Sequence, residues 1–268
     1  MRSLWTAASG MTAQQLHVDT ISNNISNVDT NSYKKERLEF KSLLYQTMER
    51  ASLDEADTGK PVNLQVGLGV RPIATSRIFA QGNVERTEVK TDVAIEGDGF
   101  FMIRTGENEV SYTRDGSFKI SLGNGENNLV TSEGYYVLNS DGEPVTFPQN
   151  VPVDNIIIGE NGAIKYLENG EEQDTGTTLG VVQFNNPQGL EAIGGNLYKT
   201  TVASGEPILE TDLENNKSRV AQGFLELSNV NIAEEMINLI VAQRAYELNS
   251  KAITTSDEML QLANNLKK

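Results

Sequence analysis

The sequence predicts an α+β protein in which long N- and C-terminal helices pack together, coiled-coil-like, around an inserted, mostly antiparallel β domain. Two observations lead there. Apolar residues recur every seven positions at both ends of the chain, and the stretch between is cut into short β-type runs by glycine, asparagine and aspartate.

At the N-terminus, Leu4, Met11, Val18 and Ile25 form one row at period seven, and Ala7, Gln14, Ile21 and Val28 form a second row three places on. Paired rows of this kind make an a/d seam, broken in apolar character only at Gln14. The helix they predict runs for about 25 residues, or ~37 Å at 1.5 Å per residue. It ends where Asn23, Asn24, Asn27, Asp29 and Asn31 accumulate, because these side chains compete for backbone hydrogen bonds.

Residues 31–70 read as an extended connector. Mixed charges run from Ser32 to Lys60, and Asp57-Thr58-Gly59-Lys60-Pro61 closes the stretch. Residues 71–228 read as the β-rich domain. Strands are predicted at Val93 to Ile95, Phe100 to Ile103, Leu129 to Thr131, Tyr135 to Leu138, Ile156 to Ile158 and Val181 to Phe184. Turns fall at Gly97-Asp98-Gly99, Asp115-Gly116, Asn124-Gly125, Asp141-Gly142, Asn161-Gly162 and Asn169-Gly170, where Asp-Gly and Asn-Gly pairs supply positive φ and predict hairpins.

The C-terminal helix carries the strongest period. Ile232, Leu239, Tyr246, Ile253 and Leu260 recur every seven residues, with no Pro or Gly from Asn229 to Lys268. Three places on lie Glu235, Ala242, Asn249, Ser256 and Ala263, small or polar residues that permit close approach of a neighbouring helix. Asn229 or Asn231 is the expected N-cap of a helix of about 35 residues. The helical ends, 1–30 and 229–268, are most simply buried on each other. Periodicity alone leaves two arrangements open: a stalk completed within one chain, or helices whose second face is covered by other copies.

Composition narrows the function. Cysteine is absent and His17 is the single histidine, so disulfides, thiolate metal sites and histidine clusters are excluded. The formal charge is −15, all of it in residues 51–228, since the two ends are nearly neutral. Nucleic acid is not an expected partner, because phosphate binding needs a basic face. No stretch approaches the ~20 apolar residues of a membrane span, so no membrane insertion is expected. No cleaved secretory signal is visible.

Candidate chemical sites each have a simpler reading. Gly97-Asp98-Gly99-Phe100-Phe101 lacks the Lys and Ser or Thr of a phosphate loop and reads as a hairpin turn. Tyr112-Thr113-Arg114-Asp115-Gly116 reads as an Asp-Gly turn beside a surface ion pair. The acidic runs Asp54-Glu55-Ala56-Asp57 and Glu168 to Asp174 lack the oxygen-ligand spacing of a calcium loop. His17 is assigned no role, and Trp5 is expected to pack or to contact another subunit. No catalytic, cofactor-binding or metal-binding residue is assigned, and an enzyme is not expected.

Three sets of residues point to a family. Ala8-Ser9-Gly10-Met11-Thr12-Ala13-Gln14-Gln15, Asp19 to Val28 and Tyr33-Lys34 closely resemble the N-terminal motif of bacterial flagellar rod and hook axial proteins. Ser228 to Ile232, Glu234 to Ile237 and Gln243 to Ile253 resemble the matching C-terminal motif, while Asp92 to Phe101 and Tyr112 to Phe118 resemble the β-domain signatures between. Gln65 to Val70 and Ile78 to Asn83 look most like the distal-rod branch of that family. Glu85 to Lys90 departs from the family, which more often has a Gly-Asn-Pro-Leu-like turn there.

The resemblance implies a structural subunit of the basal-body distal rod that self-assembles into a rigid helical tube and passes motor torque to the hook. It implies copies of itself, other rod and hook proteins, the flagellar type III export apparatus and ring or bushing proteins as partners, with export lacking a cleaved signal. Residues 1–30 and 229–268 then become the polymerisation domain and 71–228 the outer domain. The subunit-interface residues are Leu4, Met11, Val18, Ile21, Ile25, Ile232, Leu239, Tyr246, Ile253 and Leu260. A paralogous rod or hook protein, a secreted β-domain adhesin and a wall-modifying enzyme are the rival readings.

Overall fold

A computed structural model describes residues 2–49, 63–106, 109–122, 126–148, 152, 155–168, 171–212 and 218–265. The turns at Asn124-Gly125 and Asn169-Gly170, the acidic run Asp54 to Asp57 and the whole segment from Asp57 to Pro61 lie outside the described residues.

The first helix, α1, spans Arg2–Ser26, and the second, α2, spans Ile232–Asn265. Asn231 caps α2: its Oδ1 accepts from the backbone N–H of Ala233 at 3.1 Å and of Glu234 at 3.4 Å. Glu234 and Glu235 in the first turn add negative charge where the helix dipole favours it. The polar residues of α1 do not break it because Thr6, Thr12, Thr20 and Ser26 return their hydroxyls to the carbonyls four residues back.

The chain divides into two units. One holds Met1–Ser26, Glu36–Arg77 and Asn231–Lys268, and the other Asn27–Lys35 and Ile78–Val230. In the first, the helices pack together and are joined by two antiparallel ribbons. Glu36–Ser42 pairs with Val70–Arg77, with a bulge at Glu39/Phe40, and Tyr45–Glu49 pairs with Leu64–Gly67. The stretch expected to be an extended connector therefore contributes strands, and its first ribbon lies against α1.

The second unit is built on a ten-stranded antiparallel sheet. Its main path runs Thr146–Pro148, Glu126–Val130, Tyr136–Val137, Phe100–Arg104, Val110–Thr113, Leu197–Lys199 and Glu191–Gly194. Successive side chains of a strand point to opposite faces. Phe101 therefore enters one core, with Val93, Phe118, Phe147 and Ile164, while Phe100 enters another, with Tyr112, Phe184 and Tyr198. Burial of each ring contributes about 1.5–3 kcal/mol.

Two turns differ from expectation. Gly97-Asp98-Gly99 is not a hairpin: Val93–Glu96 pairs with Arg219–Gln222, while Phe100–Arg104 joins the large sheet. The turn passes the chain between sheets and is held by Gly99 N donating to Ser218 Oγ at 3.0 Å. Arg114 forms no surface pair with Asp115. It is buried and donates Nε to Glu226 Oε2 at 3.0 Å. Asp115 instead accepts from Ser117 N at 3.0 Å, and burial raises its carboxyl above the usual range.

Candidate assembly interface

α1 and α2 run antiparallel. The hydroxyls of Ser3 and Ser256 lie 3.3 Å apart, Gly10 faces Asn249, and Asn24 Nδ2 donates to Glu235 Oε2 at 3.3 Å. On both helices the second contact stands seven residues from the first and the third fourteen from the second, so all three fall on one seven-residue step. The buried residues of α1 are Ala7, Ala13, Ile21 and Asn24, and those of α2 are Glu235, Ala242 and Ser256. The row that closes the seam on α2 is thus the small and polar one, because interaxial distance is set by side-chain size at the contact.

The apolar rows take another place. Ile21 is buried, while Leu4, Met11, Val18 and Ile25 are half-buried. On α2, Leu239 and Ile253 are half-buried, whereas Ile232, Tyr246 and Leu260 are 48%, 40% and 43% exposed. Of the ten residues expected at the interface, one lies fully in the intramolecular seam. Met236, Ile237, Ile240 and Val241 on α2, and Trp5 at the outer end of α1, are exposed as well.

Three positions set close packing on α1. An added Cβ at Gly10 would lie 2.8 Å from Asn249 Nδ2. Gly69 sits at φ +116° against α1, where a Cβ would run into Ser9 Oγ, the atom that accepts from Val70 N at 3.4 Å. His17 stacks edge-on against Phe40 with centroids 5.6 Å apart. Burial lowers its pKa below the ordinary histidine value, and the Glu235 carboxylate opposes that shift.

Sequence reasoning noted the small row on α2 but not Ser3, Gly10 and Asn24, its partners on α1. Their signal was available: Ser3, Gly10, His17 and Asn24 also recur at period seven. Among the described residues, no helix is long and apolar enough to cross a membrane.

The chain is similar to known proteins from end to end. Residues 4–34 match the family described as flagella basal body rod protein, residues 94–166 the flagellar hook protein FlgE/F/G D1 domain, and residues 221–266 the flagellar basal body rod FlgEFG protein C-terminal region. The flagellar basal-body rod protein FlgG of Borreliella burgdorferi is 51% identical over 271 residues, covering 100% of this chain and 99% of that protein. FlgG of Caulobacter vibrioides is 42% identical and covers 100% of both chains. The crystal structure of Helicobacter pylori flagellar hook protein FlgE2 is similar over 62% of this chain and 47% of its own, at 17% identity and a TM-score of 0.24. With both terminal helices and the β domain between them matched, and with relatives aligned from end to end, the chain belongs to the FlgG family of flagellar basal-body rod proteins.

Proposed function

We propose that the chain is a structural subunit of the bacterial flagellar basal-body rod, placed in its distal part, and that it carries torque by repeated subunit contacts without catalysing a reaction. One observation carries this reading. The intramolecular seam uses the small and polar row, so Ile232, Tyr246 and Leu260 of the apolar row stay exposed, with Leu239 and Ile253 half-buried between them, and offer a face to copies of the same chain. Burial at about 25 cal/mol per Å², repeated over several neighbours, can hold a rigid tube from helices that are marginal alone.

On this reading residues 1–30 and 229–268 form the polymerising shaft, 31–70 link it outward, and 71–228 form the outer wall. The seven-residue step of the seam supports left-handed supercoiling of the helix pair. Partners are the chain itself and the other rod and hook proteins. The type III export apparatus, reached without a cleaved signal, and the surrounding ring proteins complete the set. Electron microscopy of basal bodies from a deletion strain tests the proposal: loss of the distal rod and hook is expected, and intact ones would refute it.

A further inference from the structure

Three segments far apart in the sequence, residues 32–35, 78–82 and 226–229, meet within the β unit. Their side chains and backbones are laced together. Lys35 N donates to Asn229 Oδ1 at 2.8 Å, and Asn229 Nδ2 donates to Ile78 O at 2.8 Å and to Ala80 O at 3.0 Å. Beside this knot lies a buried ion cluster with Glu226 at its centre. Glu226 Oε1 accepts from Lys34 Nζ at 2.6 Å and Gly82 N at 2.8 Å, and Oε2 accepts from Arg114 Nε at 3.0 Å. Lys34 also donates to Ala80 O at 2.9 Å, and Arg114 Nη2 donates to Gly97 O at 2.7 Å.

The side chains of Lys34 and Glu226 are fully buried and that of Arg114 is 1% exposed. Two cations therefore share one carboxylate. Burial, and then the neighbouring Arg114, draw the Lys34 ammonium down to about 8, while Glu226 and Asp98 act the other way. Asp98 lies at the surface. Glu226 is thus the buried counter-ion of the cluster; without it Lys34 keeps the Ala80 carbonyl, and Arg114 keeps the Gly97 carbonyl and the Phe100 ring 5.6 Å away, none of them an anion. An uncompensated buried charge is strongly unfavourable, whereas an apolar replacement of the whole cluster need not be.

Sequence order gives this arrangement a direction. Lys34 precedes Glu226 by 192 residues and Arg114 precedes it by 112. Phe224–Glu226 is the last strand before α2, and its backbone continues the closure: Ser32 N donates to Glu226 O at 2.8 Å, and Leu227 N to Asn83 O at 2.8 Å. Gly82 leaves room for this segment, since a Cβ there would strike Leu227 O.

We infer that Glu226 is a closing residue: the β unit stays open around Lys34 and Arg114 until the strand that leads into α2 docks and neutralises them. Core closure then waits for Phe224–Glu226, the last strand of the β unit in the sequence.

Refolding of the full-length chain tests this inference. Three proteins are compared: the parent, Glu226→Gln, and the triple variant Lys34→Met, Arg114→Met, Glu226→Met. Refolding is followed by hydrogen exchange in Val93–Glu96 and Arg219–Gln222. A docking step set by charge neutralisation slows refolding of Glu226→Gln by about fivefold or more, and the triple variant recovers most of the lost rate. If Glu226→Gln does not fold at all, folding of the triple variant supports the inference. Refolding of Glu226→Gln slowed by less than about fivefold overturns it, because the carboxylate then acts only after the barrier. A triple variant that fails to recover most of the rate, or fails to fold, overturns it too.

Discussion

Gly10 of α1 stands so close to Asn249 of α2 that a methyl group on its Cα would press on the asparagine amide at 2.8 Å. Two effects of similar size then oppose each other for alanine. Replacing a helical glycine gains up to about 1 kcal/mol of helix propensity, while displacing the amide costs a comparable amount. Gly10→Ala is expected to leave the urea midpoint nearly unchanged, whereas Gly10→Leu overpacks the seam and costs about 2 kcal/mol. Equal midpoints for the two variants would contradict the close approach.

Charge on the open row separates assembly from folding. Tyr246→Glu and Leu260→Glu are expected to abolish tube formation, seen as loss of sedimentable polymer and of motility. The monomer itself should shift by less than about 0.5 kcal/mol, because these side chains are substantially exposed. Polymer that persists in both variants would place the contact surface elsewhere.

Arg114 offers a test between a surface and a buried ion pair. Lysine cannot reproduce a guanidinium that donates Nε to Glu226 and Nη2 to Gly97 O at once. Arg114→Lys is expected to cost about 2 kcal/mol or more, whereas a solvated pair would cost less than about 1 kcal/mol. Denaturant unfolding of the full-length variant reads the difference.

Two asparagines two residues apart have separate tasks. Asn231 caps α2, so Asn231→Ala is expected to cost about 1 kcal/mol. Asn229 instead satisfies Lys35 N, Ile78 O and Ala80 O, and its loss leaves several backbone groups without that partner. Asn229→Ala is expected to cost about 2 kcal/mol or more. The order of the two midpoints is the measurement.

His17 gives the helix pair a pH dependence of fixed sign. Its folded pKa lies below 6.5, so the folded state binds fewer protons than the unfolded one near that value. Its contribution is fully present above pH 6.5 and is lost as pH falls through the folded pKa. The helix unit should lose stability between pH 7.5 and 5.5, and His17→Gln should flatten that slope. A parent chain with a level urea midpoint over this range would exclude the effect.

Both helices were legible in the sequence because a seven-residue period leaves a mark at every turn, and the strands because Val, Ile and Phe runs end at glycine or asparagine. The row that closes the seam was not, since Ala242 and Ser256 compete with Leu239 and Ile253 on grounds of helix separation, which one helix alone does not set. Arg114 was read as a surface residue beside an Asp-Gly turn. Its carboxylate partner stands 112 residues away and leaves no local trace. The turn at Gly97 was misread for the same reason: Val93–Glu96 finds its neighbour at Arg219–Gln222, at the far end of the β unit.

The contacts Ser3–Ser256, Gly10–Asn249 and Asn24–Glu235 fall on the first, second and fourth marks of two rulers graduated in sevens and laid head to tail. A slip of one mark in either direction would match most divisions almost as well. It would also carry Glu235 away from the Asn24 amide, so that one asparagine and one carboxylate set the zero of the scale and with it the overlap of the two helices.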